Sequence, residues 1–275
     1  MPHKHNIPLD KISKDLRRMI IDISYKTKAH HIGSALSCID ILTALYFQVM
    51  DFDSKQLKNN DWFHLSKGHA GLSLYVVLVK LGLFSEKELL EEFLNDGGRF
   101  GIHPESYNIP GVEISSGSLG HGLSIAAGVA LAAKKDQKNT KAYVLLGDGE
   151  CNEGMIWEAA LFARQQKLDN LVAIIDYNKL QGLGRNEKVL NLEPLFDKFK
   201  SFCWGVKDID GHNLSEIVET LLSIPFEKNK PSLIIANTIK GKGVSFMEND
   251  VSWHSGIPSN AEFNLALKEL KGNYQ

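Results

Sequence analysis

Two short apolar runs on either side of a glycine–acid turn constrain this chain more than any other feature. Residues 142–146 are Ala-Tyr-Val-Leu-Leu, and the chain then turns through Gly147-Asp148-Gly149-Glu150-Cys151-Asn152-Glu153-Gly154. From Met155 to about Gln166 the residues Ile156, Ala159, Ala160 and Ala163 recur on one helical face. A second run, 171–175, ends in Asp176-Tyr177-Asn178. Continuous apolar runs of this length predict strands buried on both faces, as in a parallel sheet. The segment is therefore a βαβ unit. It places Asp148 and Asn178 at the carboxyl ends of two strands, where open α/β sheets bind ligands.

The residue types there suit a metal-bound diphosphate. Asp148 is a hard oxygen ligand, Asn178 adds an amide oxygen, and a backbone carbonyl such as that of Leu180 completes a set that Mg²⁺ or Ca²⁺ accepts alongside phosphate oxygens. Gly149 lets backbone approach a phosphate, and the helix start near Met155 offers free N–H groups to an anion. The Gly-Asp-Gly triplet alone fits an ordinary strand-to-helix turn capped by Asp148. Its pairing with an asparagine 30 positions on, each after an apolar strand, is far more specific. A nicotinamide site would want Gly-x-Gly-x-x-Gly after the strand, and Asn152 stands where the third glycine belongs.

With 275 residues the chain has room for one large α/β domain or two small ones, and no linker or repeat divides it. A formal net charge of −2 gives no basic footprint for nucleic acid. The apolar runs look far short of a membrane helix, and the polar opening MPHKHNIPLD lacks a signal-peptide core. Three scattered cysteines argue for reduced thiols, and so for a cytoplasmic protein.

Along the rest of the chain, strands alternate with helices. Asp10 is a candidate N-cap for a helix marked by Ile12, Leu16, Met19, Ile20 and Ile23, and a second helix, 34–50, is apolar on most sides. A strand at 62–66 leads through Lys67-Gly68-His69 into an apolar helix at 70–81. Ser85 and Glu88 form a capping box. The irregular stretch 99–122 is long enough to be functional, and its Gly117, Gly120 and Gly122 open an alanine-rich helix at 123–133, a second anion-friendly helix start. Further on come a helical piece at 191–200, a strand at 204–209, the turn Asp210-Gly211-His212-Asn213, a helix at 214–224, a strand at 232–238 and a closing helix at 260–270. This alternation predicts a mostly parallel sheet with helices on both faces.

Four histidines, His31, His69, His103 and His254, lie at turns beside glycines instead of within apolar faces. One such histidine is ordinary surface or core filling. Four beside a metal–diphosphate motif suggest groups that bond sugar hydroxyls or move protons near neutral pH.

Taken together these pieces resemble the amino-terminal, thiamine-diphosphate-binding half of transketolase. The resemblance rests on Ala29-His-His31-Ile-Gly-Ser, Ser66-Lys-Gly-His69-Ala, Gly101-Ile-His103-Pro-Glu, Gly117-Ser-Leu-Gly-His-Gly122, Gly147-Asp148-Gly-Glu-Cys-Asn-Glu153-Gly, Asp176-Tyr-Asn178-Lys and Trp253-His254-Ser-Gly, in family order from about 10 to 260. It implies that Asp148, Asn178 and the Leu180 carbonyl hold a divalent metal, and that Gly149, His69 and His254 meet the diphosphate. Gly117 and Leu119 would line the cofactor, and Glu153 would join a network between paired active sites. The four histidines would surround the substrate. Two departures stand out, Ile32 where the family usually has proline and His121 where glutamine is frequent. The pyrimidine-binding and carboxy-terminal modules of a full transketolase find no match, so the resemblance implies one half of a split enzyme, an α2β2 assembly with a separate partner. Other thiamine diphosphate enzymes (a deoxyxylulose-phosphate-synthase-like or 2-oxo acid dehydrogenase subunit) and a non-catalytic cofactor-binding protein are the alternatives. The row of histidines disfavours an oxo acid, which has no row of hydroxyls to bind.

Overall fold

The structure is a computed structural model and describes residues 8–53 and 58–271. Helix α1 (Leu9–Thr27) is followed by α2 (Ile32–Ala44), which runs on into a π-helical turn, Leu45–Val49. Two short antiparallel strands, β1 (Phe52–Asp53) and β2 (Lys58–Asn59), lead to β3 (Trp62–Leu65), a 3-10 turn at Gly68–Ala70 and α3 (Gly71–Lys80). After α4 (Glu86–Glu92) comes the long irregular stretch, which ends at α5 (His121–Lys135). The central unit is β4 (Ala142–Gly147), a 3-10 turn at Gly149–Asn152, α6 (Gly154–Gln165) and β5 (Leu171–Tyr177). A small hairpin of β6 (Leu180–Gln181) and β7 (Gly184–Arg185) follows, then α7 (Asn186–Val189) and α8 (Leu195–Ser201). The chain continues through β8 (Gly205–Asp210), α9 (Leu214–Leu222), β9 (Ser232–Asn237), a 3-10 turn at Val251–His254 and α10 (Asn260–Lys271).

Five strands form one parallel sheet in the order β3-β4-β5-β9-β8. Successive side chains of a strand point to opposite faces, and the two faces hold separate cores. Tyr143, Leu145, Val172 and Ile174 pack with α1, α2, α3 and α9 residues such as Leu16, Leu36, Val76 and Leu221. Val144, Leu146, Ala173 and Ile175 pack with α5, α6 and α8 residues such as Ala127, Ile156 and Phe199. This is the expected α/β arrangement with helices on both faces. Register places Gly147 beside Asp176, and Tyr177 and Asp210 beside Asn237, so the carboxyl ends of β4, β5, β9 and β8 finish within a residue of one another.

Some local expectations are corrected. Asp10 is not the N-cap: Pro8 is, and Asp10 sits in the first turn, where its charge still favours the helix dipole. The second helix starts at Ile32, not Ser34, and every residue of α2 is buried. Residues Ile32–Val49 are, by length and composition alone, apolar enough to cross a membrane, contrary to the sequence reading, but most of the segment lies inside the fold. There it touches α1, α3 and α9. Burying a leucine or isoleucine contributes about 1.5–3 kcal/mol, so a helix without a polar face is stable only in such a place. The Ser85–Glu88 capping box forms as expected, with both reciprocal bonds present.

Candidate active site

The level strand ends open into a cavity of about 410 Å³. Its wall carries His31, His69, His103, His254, Gly117, Leu119, Asp148, Gly149, Glu153, Asn178 and Leu180. Every candidate site residue of the sequence is thus brought to one place, although the segments carrying them span more than two hundred positions.

Different elements deliver the histidines. His31 caps α2 in the left-handed region, φ 66° and ψ 21°, a conformation open to histidine at some cost. Ile32 takes the first helical position, which also suits the proline usual in the family. His69 sits in the 3-10 turn after β3, and His254 ends the turn Val251–His254. Gly33 allows the last approach: a Cβ there would lie 2.9 Å from Trp253 O and 3.1 Å from Lys240 Cγ. The rings of His31, His69 and His254 meet with centroids 5.4, 5.1 and 5.7 Å apart. His103 packs against Gly117, whose Cβ position would be 3.4 Å from the ring. Burial lowers His31 to about 4, helped by His103, and lowers His254 to about 4, helped by Lys240. Burial also takes His69 well below its ordinary value, helped by Lys67. All three are neutral at pH 7, able to donate and accept hydrogen bonds.

The acidic end of the cavity is built around Asp148. Its Oδ1 accepts from Gly149 N–H at 2.7 Å and its Oδ2 from Lys179 N–H at 2.6 Å. Burial, reinforced by Asp176, raises its pKa to about 6 against the pull of Lys240. Asn178 Nδ2 donates to Asp176 Oδ2 at 3.3 Å, and Asn178 Oδ1 accepts from Leu180 N–H at 3.1 Å. The Leu180 carbonyl accepts from Lys240 Nζ at 3.0 Å and has a second lone pair.

Sequence reasoning missed the charged residues beneath these groups. Lys67 and Asp176 form a fully buried ion pair, and Asp176 also accepts from Ser37 and Thr238. Burial opposes charge on Lys67, yet Asp176 outweighs it and raises Lys67 to about 12. On Lys240 burial prevails, joined by Lys67, and lowers it to about 8. The signal for both lysines was their place within three residues of the end of an apolar strand. Glu150 was missed too. It accepts from Ser66 Oγ, from Gly120 N–H at 2.9 Å and from Gly147 N–H at 2.9 Å. Its carboxylate therefore meets the glycine-rich start of α5, so the anion that the sequence predicts for this helix start is the chain's own Glu150. The start of α6 is likewise set back from Asp148 by the 3-10 turn, so the turn and not Met155 lines the cavity.

These residues fit a metal and a diphosphate. Among the described residues no cluster of three or more histidine, cysteine or acidic side chains forms a metal site. The available donors are instead a carboxylate, an amide oxygen and a carbonyl, a set of hard oxygens suited to Mg²⁺ or Ca²⁺. Asp148 has no ion-pair partner among the described residues and Lys240 does not offset its burial, a deficit that a divalent metal would make good. His31 Nδ1, His254 Nδ1, Ser34 Oγ and Gln181 Nε2 are buried without a protein partner, and all four residues line the cavity. Gly149 and Gly182 admit this polar wall: a Cβ would come within 2.9 Å of Gln181 Cγ at the first and 3.2 Å of His254 Nε2 at the second.

Comparison with known proteins agrees with this geometry. The family described as "Transketolase, thiamine diphosphate binding domain" matches residues 9–273. An apulose-4-phosphate transketolase subunit from Phocaeicola vulgatus is 44% identical over 264 residues, covering 95% of this chain and 93% of that protein. A 6-deoxy-6-sulfo-D-fructose transketolase subunit of a Clostridium species is 38% identical over 270 residues, covering 98% of each. The transketolase structure from Campylobacter jejuni matches with a TM-score of 0.88 and 30% identity, over 97% of this chain but 43% of that one. The chain belongs to the transketolase thiamine-diphosphate-binding family.

Proposed function

We propose that this chain, as a single diphosphate-binding module, is one subunit of a split transketolase. With a separate subunit bearing the pyrimidine-binding module, in an α2β2 complex, it moves a two-carbon ketol unit from a ketose to an aldose. The observation that carries this reading is the meeting of three neutral imidazoles, 5.1–5.7 Å apart, in the cavity that holds Asp148 and Asn178. The two relatives named above as subunits, each matched over nearly its whole length, support a two-chain enzyme.

When bound, thiamine diphosphate supplies the carbanion and electron sink for breaking and making the carbon–carbon bond. The chain's own residues then bind, orient and exchange protons. Asp148, Asn178 Oδ1 and the Leu180 carbonyl hold Mg²⁺ (or Ca²⁺), with Asp176 accepting from Asn178 Nδ2 and so leaving Oδ1 as the ligand atom. Gly149, His69 and His254, with Gln181 and Lys240, meet the diphosphate. Gly117 and Leu119 line the cofactor, and Glu153, exposed at the start of α6, belongs to the network between paired active sites. His31, His69, His103 and His254 bond the sugar hydroxyls, and the unpartnered Nδ1 atoms of His31 and His254 are placed to take or return a proton.

Among the described residues lining the cavity there is no arginine. The end of the sugar remote from the ketol group is therefore read by the partner. The two relatives are named for a phosphorylated and a sulfonated sugar, and an anionic ketose is the donor class we assign. The test is to recover the partner by affinity capture in thiamine diphosphate and Mg²⁺, then offer the complex ketose phosphates, a sulfonated ketose and pyruvate. A stoichiometric partner and turnover of a ketose are expected. Self-association alone, or turnover of pyruvate only, would overturn the proposal.

A further inference from the structure

His212, in the turn Asp210-Gly211-His212-Asn213, joins a cluster of buried charge that lies outside the cavity wall. The hub is Asp40, in the middle of α2. Its Oδ1 accepts from Ser13 Oγ and from Arg17 Nη1 at 2.9 Å. Its Oδ2 meets Arg17 Nη2 and His212 Nδ1, the latter at 2.8 Å. From this hub two bonds reach one short turn, residues 239–242. The Ile239 N–H donates to His212 Nε2 at 2.8 Å, and Arg17 Nε donates to the Lys242 carbonyl at 3.1 Å. Because Nε2 accepts, the His212 ring carries its proton on Nδ1 and donates it to Asp40.

Lys240 lies between those two anchors. It is 2% exposed, and its ammonium donates to the Leu180 carbonyl at 3.0 Å. The turn is also tied to the rest of the site. Gly241 N–H donates to Gly33 O at 3.0 Å, two residues from His31, and Asn249 N–H donates to Lys240 O at 2.9 Å, ahead of the turn bearing His254. A pair that only joined α1 to α2 would need nothing beyond Arg17 and Asp40. It would not explain why Nε of Arg17 and the far nitrogen of His212 are aimed at the two ends of the same turn.

We propose that Asp40, Arg17 and His212 are positioning residues that clamp the 239–242 turn from both sides and so fix the Lys240 ammonium at the edge of the metal–diphosphate site. This rests on the function proposed above. Outer groups that orient inner ones typically change affinity by about 10–100-fold when removed, and that is the size of effect expected here.

The test compares wild type, His212→Phe and His212→Gln in the complex with the partner subunit. Two quantities are read: hydrogen exchange over residues 239–254 without cofactor, and thiamine diphosphate affinity in Mg²⁺ by titration calorimetry. His212→Phe should keep its melting temperature within a few degrees, lose protection at 239–243 and bind thiamine diphosphate about tenfold or more weakly. His212→Gln should restore both, since a primary amide can donate an N–H to Asp40 and accept from the Ile239 N–H. If His212→Phe does not fold, Arg17→Lys replaces it, because lysine keeps a cation beside Asp40 but leaves the Lys242 carbonyl without its donor. Wild-type protection or affinity in the damaged variant would overturn the inference, as would equal damage in His212→Gln. A wild-type complex that binds no thiamine diphosphate would overturn the proposed function, and this inference with it.

Discussion

Replacing Asp148 with asparagine should make the cofactor-free protein more stable while removing its metal site. The carboxyl is raised from 3.8 to about 6, first by burial and then by Asp176, which puts a penalty of about 3 kcal/mol on its charged form at pH 7. Asparagine removes that charge. It keeps a carbonyl oxygen for only one of the two N–H donors, Gly149 and Lys179, and losing the other acceptor costs about 1–2 kcal/mol. The net gain is therefore about 1 kcal/mol, or roughly 2–4 °C in melting temperature for a chain of this size. The sign is fixed by proton binding. Between pH 3.8 and about 6 the folded wild type holds a proton that the unfolded chain does not. Its stability is therefore full below 3.8 and is lost as pH rises through 6. Asp148→Asn has no such loss, so it should be the less stable of the two near pH 4, by about the 1–2 kcal/mol of the lost acceptor, and the more stable at pH 7. Thermal melts followed by circular dichroism across that range measure this. Adding thiamine diphosphate and Mg²⁺ should reverse the order, since ligand at 100 times its Kd adds about 2.7 kcal/mol to the wild type alone. Parallel pH profiles for the two proteins would refute the argument that Asp148 is a buried charge kept for a cation.

Other perturbations follow from the same geometry. His254→Ala should slow ketol transfer by the reconstituted complex about 10²-fold or more with a melting temperature close to wild type; unchanged turnover would remove His254 from the reaction. Lys67→Met leaves Asp176 buried without its partner and should cost about 3–5 kcal/mol, read from urea denaturation. Gly122→Ala places a Cβ inside the contact radius of Ser66 Oγ and Cβ and 2.8 Å from His64 Cδ2, which should cost about 1–3 kcal/mol and lower the melting temperature accordingly.

The βαβ unit was legible because a strand buried on both faces leaves a continuous apolar run, and 142–146 and 171–175 can be little else. The four histidines could be singled out because turns beside glycines are poor places for core filling, and the structure brings all four to one cavity. What stayed hidden depends on pairing across the chain. Lys67 and Asp176 are far apart in sequence, and neither residue by itself announces a fully buried ion pair. The same holds for Glu150, which reads as one more acid in a turn until the fold sets the Gly120 N–H and Ser66 against it. The Asp10 error is local: a residue of N-cap type and the helix start lie one position apart, and Pro8 with its fixed φ takes the cap. The π-helical turn after α2 left no mark, because every side chain there is apolar in either geometry save Gln48, which either geometry tolerates.

The most direct test of the central claim is calorimetric titration of thiamine diphosphate into the complex of this chain with its partner, in Mg²⁺ and again in EDTA, with wild type and Asn178→Ala. The account predicts tight binding by the wild type in Mg²⁺ and loss of it both in EDTA and in the variant. Equal affinity with and without the metal, or in Asn178→Ala, would contradict a cofactor held through Asp148, Asn178 and the Leu180 carbonyl.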